Sequence, residues 1–144
     1  MGEAKAGDAV VAREIRHLFD KGRRAAAAGQ FNFAIELYLR GIALAPDNVL
    51  AHKELRKIAL RRKADGGEDL GAFQKMILKA RANVSKDDTL AMLTVEQLLA
   101  YDPLNVDVML DVARRAKRAG FYDVATWSER IARVSADTSA AASR

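Results

Sequence analysis

The chain has 144 residues, 50% hydrophobic and 30% charged, with 24 Lys and Arg against 19 Asp and Glu and a formal net charge of +5. That length suits one domain with a real core; zero cysteines exclude a disulfide framework and any thiolate metal site, and 2 prolines with 9 glycines are too few for a turn-rich β fold. The opening MGEAKAGDAVVAREIR lacks the apolar stretch of a signal peptide or membrane span, and Ala6 stands where a myristoylation signal wants Ser or Thr; a soluble, cytoplasmic chain is expected, and its Ala and Arg richness points to a GC-rich bacterial genome.

Residues 1–7 are expected to be disordered. From Asp8 to about Ala28, Val11, Ile15, Leu18, Phe19 and Gly22 recur with a helical period. Gly29 stops that helix, since glycine allows the left-handed cap. A second helix is predicted over 31–44, with Phe31, Ala34, Ile35, Tyr38, Gly41 and Ile42 on one face, and Pro46 ends it. Asp47 or Asn48 caps a third helix to about Lys63, with Val49, Leu55, Ile58 and Ala59 inward.

The run 65–69 reads as a loop. A fourth helix to about Ala82 carries Leu70, Phe73, Met76, Ile77 and Ala80. Asp87 is the candidate cap of a fifth, which holds Leu90, Leu93, Leu98 and Tyr101 and closes at Pro103. A sixth helix spans about 106–119 and a seventh about 121–134, before a small, polar, flexible tail at 138–144. The expected plan is one helical domain over 8–137: a hairpin at 8–45, an irregular centre at 48–102 and a hairpin at 106–135.

Two stretches repeat each other. Arg23 to Gly29 reads RRAAAAG and Arg114 to Gly120 reads RRAKRAG; beyond them Phe31 answers to Tyr122, Ala34 to Ala125 and Gly41 to Ala132. Ala45-Pro46-Asp47-Asn48 is mirrored by Asp102-Pro103-Leu104-Asn105. Self-similarity of this kind marks stacked repeats, which build surfaces rather than pockets.

Leu18, Lys21, Gly22 and Ala25, followed by Ala34, Tyr38 and Pro46, fall at the spacing of a tetratricopeptide repeat, and the first hairpin resembles that family. Lys21 and Ala25 depart from the usual Leu and Tyr. The last hairpin resembles it through Met109, Val112, Ala113, Ala116, Gly120, Tyr122 and Ala125, but Glu129 and Asp137 replace the usual aromatic and proline. The two prolines are 57 positions apart, 103 − 46; a repeat of about 34 residues leaves room for an extra helix near 49–63. The resemblance implies an all-α fold of about seven helices: a right-handed superhelical stack of antiparallel hairpins, irregular in its centre.

No phosphate loop, nucleophile elbow or metal-ligand pair of histidines occurs. His17 and His52 read as surface or interhelix residues, and Glu68-Asp69 and Asp87-Asp88 as helix-start acids that suit the dipole. Neither catalytic residues, a metal site nor a cofactor is expected. The cations are more informative, because they cluster on the first, third and sixth helices.

In the resembled family the first helix of each pair lines a concave groove for a partner peptide. The resemblance thereby implies lining by Arg16, Phe19 and Arg23, by Lys53, Lys57 and Arg61, and by Leu110, Arg114, Lys117 and Arg118. The expected function is an interaction module whose basic groove takes a protein or peptide segment, an acidic one by charge. The family's carboxylate clamp for chaperone tails is not implied, since Phe19 and Arg23 occupy its Lys and Asn positions. The alternative is a nucleic-acid binder, disfavoured because only 6% of residues are aromatic. Trp127 points off the apolar face of the seventh helix and is a candidate terminal docking point, for a partner or for self-association.

Overall fold

A computed structural model describes residues 2–143 as α1 (Gly2–Ala27), α2 (Phe31–Leu44), α3 (Val49–Ala64), α4 (Ala72–Val84), α5 (Asp88–Tyr101), α6 (Val106–Ala119) and α7 (Tyr122–Ala142), with no strand among them. The fold is all-α. Its breaks follow local chemistry. Gly29 and Gly120 take left-handed φ angles of 77° and 88°. After each, the next amide closes the same bond back into the helix, Gln30 N to Ala25 O at 2.9 Å and Phe121 N to Ala116 O at 2.8 Å. The repeated sequence therefore folds into repeated turns.

The two proline turns match as well. Ala45 sits at φ −140°, ψ 65° and Asp102 at −144°, 64°; Asn48 then accepts from Ala51 N and Asn105 from Val108 N, both at 3.2 Å. Asp87 caps α5 through Leu90 N at 3.1 Å.

The chain ends differ from expectation. Helix α1 begins at Gly2 instead of Asp8, and α7 continues to Ala142 through the stretch expected to be a flexible tail. Both extensions are rich in alanine and free of proline, so nothing local stops the helix. Of the expected disordered and flexible ends, Met1 and Arg144 lie outside the described residues.

Helices α1 and α2 are antiparallel: Phe19 lies over Gly41 while Gly22 faces Tyr38. The absence of a Cβ at both glycines is what admits the two rings, and the rings themselves stack with centroids 5.1 Å apart. One core joins α1, α2 and α3 around Ile35, Tyr38 and Leu55; a second joins α4 to α7 around Met92, Met109 and Val124. Leu93 of α5 touches both. Helix α5 packs on α2, α3, α4 and α6, and α3 packs on α2, α5 and α7. Helix α3 thereby links the first three helices to α5 and α7. No described helix is long and apolar enough to cross a membrane.

Candidate functional site

Helix α3 sorts its residues by period. Ala51, His52, Leu55, Ile58, Ala59 and Arg62 turn inward, and Leu50, Lys53, Lys57 and Arg61 turn to solvent. Arg61 lies over the Phe31 ring, 5.5 Å from its centroid, which ties the end of α3 to the start of α2. On α1, Arg16 and Arg23 are exposed. Arg23 pairs with Asp20 on its own helix and reaches Glu54 of α3 at 3.2 Å.

Glu54 also accepts from the Tyr38 hydroxyl. Burial and that carboxylate push the Tyr38 pKa up, so the phenol stays protonated. This node brings Arg23 of α1 beside α3. Arg16, Lys53, Lys57 and Arg61 enter no ion pair among the described residues.

Phe19 is a correction. The resemblance assigns it to the groove, but it is 7% exposed and belongs to the first core. The slot above Gly41 is the reason: a Cβ there would stand 2.5 Å from the Phe19 ring.

The α6 group lies apart. Leu110 is exposed, as are Lys117 and Arg118; Arg114 pairs with Asp111 at 2.5 Å. Helix α6 packs on α5 and α7, and Arg115 reaches the end of α4 through Ala82 O at 3.0 Å and Asn83 Oδ1 at 2.8 Å. No ion pair or hydrogen bond among the described residues joins these cations to those of α1 and α3.

Trp127 is half-buried and lines a small cavity with His52 and Arg56 of α3, Glu96 of α5, Val112 of α6 and Ser128 of α7.

That cavity holds the titratable pair that sequence reasoning missed. His52 Nδ1 stands 2.5 Å from Glu96 Oε1, and Nε2 stands 2.8 Å from Pro46 O. The cavity measures about 20 Å³, room for about one water molecule. Glu96 Oε2 and Ser128 Oγ, both buried, have no hydrogen-bond partner on the protein. No substrate fits there, so the pair works as a packing element. A signal was legible: Glu96 follows Met92 and Val95 on the apolar face of α5, and His52 precedes Leu55 on that of α3. A charge on a core face needs a buried partner.

At the other end of α3, Arg62 is held by Asn32 Oδ1 at 2.7 Å and Glu68 O at 2.6 Å, above the Tyr101 ring. It floors an open pocket of about 630 Å³ with Phe31, Phe33, Asp65 and Glu68. Among the described residues, no group of three or more His, Asp or Glu is placed to hold a metal ion. No family model matches the chain, and no curated protein matches it.

Proposed function

We propose that this chain is a helical-repeat interaction module, tetratricopeptide-like in its hairpins, that binds an acidic protein segment on the face shared by α1 and α3. It acts by binding and not by catalysis. The observation that carries the reading is the row Lys53, Lys57 and Arg61, about one turn apart on the solvent face of α3 and free of ion pairs among the described residues. Unpaired cations in a row attract carboxylates and set their register. Arg23 of α1 reaches α3 at Glu54, Arg16 is a further exposed cation of α1, and Leu50 adds exposed apolar area to the α3 face. The tetratricopeptide-like stack draws support from the paired turns at Gly29 and Gly120 and at Pro46 and Pro103. The α6 cations are read as a second, separately tested group.

The test is competition binding. A Glu-rich peptide and a generic oligonucleotide are offered to the intact protein, to Lys53→Gln/Lys57→Gln/Arg61→Gln and to Arg114→Gln/Lys117→Gln/Arg118→Gln. The α3 triple should weaken the peptide about tenfold, from three exposed pairs at a fraction of a kcal/mol each. The α6 triple should leave it bound. Unchanged binding in the α3 triple ends the proposal. An oligonucleotide that displaces the peptide at equal charge supports the nucleic-acid reading instead.

A further inference from the structure

Helix α4 is apolar on two opposite faces. Leu78 and Ala82 turn inward to the second core. Phe73, Met76, Ile77, Ala80 and Val84 follow the spacing i, i+3, i+4, i+7, i+11 and share an arc of about 100° on the other side. Four of these five, Phe73, Met76, Ile77 and Ala80, are among the residues whose spacing marks the helix in the sequence. Phe73 is 68% exposed, Met76 58% and Val84 79%, and Ile77 is half-buried. Helix α4 packs against α5, and its Lys79 and Asn83 side also meets α6 at Asp107, Asp111 and Arg115. The more apolar of its two faces is the one left outside. Leu90 is exposed at the start of α5.

The charges of α4 are all basic. On the helical wheel Arg81 borders the stripe on one side; on the other, Asn83 and Ala72 come before Lys79, which lines a hollow with Asp107 and Asp111 of α6, and α4 contains no Asp or Glu. Neither cation enters an ion pair among the described residues. We propose that the outer face of α4 is a docking surface for an amphipathic helix of a partner protein, apolar on one side and flanked by Asp and Glu.

Anchors at this spacing are how one helix receives another. The charge pattern selects the occupant. Two α4 helices from separate copies would bring basic side chains against their own kind, with no acid on either helix to separate them. An acidic-flanked helix satisfies both the stripe and its basic border. This surface is distinct from the α1–α3 face and does not depend on it.

The test uses the full chain and a fluorescent synthetic helix of about 20 residues, long enough to be helical alone, with Leu along one face and Glu on both flanks. Phe73→Glu/Met76→Glu should weaken binding about tenfold or more while leaving thermal unfolding unchanged, since both side chains are already exposed. The Lys53→Gln/Lys57→Gln/Arg61→Gln variant should bind the probe as the intact protein does. The same probe with Lys flanks should bind about tenfold more weakly. Three results would overturn the proposal: no binding of the Glu-flanked probe, equal binding by the Phe73→Glu/Met76→Glu variant, or equal binding of the Lys-flanked probe. A dimer in sedimentation that Phe73→Glu/Met76→Glu dissolves would also overturn it, by making a second copy the occupant.

Discussion

His52 and Glu96, 44 positions apart in the chain, meet at 2.5 Å in the interior. The other ring nitrogen of His52 faces the Pro46 carbonyl at 2.8 Å. A carbonyl oxygen only accepts, so Nε2 is a donor. When Nδ1 also carries a proton, the two side chains form an imidazolium–carboxylate pair, neutral as a unit. It clamps α3 to α5 and to the turn that begins α3.

Removing one partner should be far worse than removing both. Glu96→Ala leaves His52 buried beside Arg56 without its counter-charge and should cost about 3–5 kcal/mol in urea unfolding. His52→Leu/Glu96→Leu replaces the pair by apolar groups and should cost about 1 kcal/mol or less, or stabilise. A double variant as damaged as the single would show that volume, and not charge, governs the site.

The pair also sets a pH dependence. Burial by itself lowers the His52 pKa, but the Glu96 carboxylate, the Pro46 carbonyl and Asp47 outweigh it, and the net shift is upward. The folded protein therefore holds the proton more tightly than the unfolded chain does. That stability is complete below about pH 6.5 and is lost as pH rises through the folded-state pKa. Urea midpoints should fall as pH rises above about 6.5, with the fall abolished in Glu96→Gln. Emission from Trp127, which lines the same cavity, supplies the readout.

The glycines of α1 and α2 are not equivalent. A methyl at Gly41 would stand 2.5 Å from the Phe19 ring, and one at Gly22 2.7 Å from the Tyr38 ring. Gly41→Ala and Gly22→Ala should each destabilise by about 1–3 kcal/mol through overpacking. Gly7, on the same α1, has open space around it. Gly7→Ala should stabilise by about 0.5–1 kcal/mol through helix propensity alone. Chemical denaturation of the three variants separates the two effects.

Arg62 organises the connection between α3 and α4. Its guanidinium donates to Asn32 and to the Glu68 carbonyl and lies 4.7 Å from the Tyr101 ring centroid. Lysine keeps the charge but not the planar fork. Arg62→Lys should cost about 2 kcal/mol and open residues 65–71 to limited proteolysis, while the α1–α2 hairpin remains resistant.

Much of the architecture was legible without coordinates. The bounds of α2, the left-handed turn at Gly29, the tight turn at Gly120, the cap at Asp87, a cap at Asp47 or Asn48 and the helical breaks at both prolines all rest on interactions spanning a few residues. Such interactions are written where they act. The repeated Arg-Arg-Ala stretch likewise yielded a repeated turn, because both copies meet the same local rules.

Three features were decided by tertiary structure, each by groups far apart in the chain. Phe19 went inward because Gly41 opens a slot for it; the helical period of α1 grouped it with Leu18 and Gly22, and only the resemblance set it on the groove. Helix α4 has two apolar faces, and only its docking on α5 chose Leu78 and Ala82 over Phe73 and Met76. Glu96 became a core residue because α3 packs on α5 and carries His52 to it. Local sequence determines which helices form and where they stop, since backbone hydrogen bonds and caps close within a turn; which face each helix buries depends on the surfaces that long-range packing brings against it.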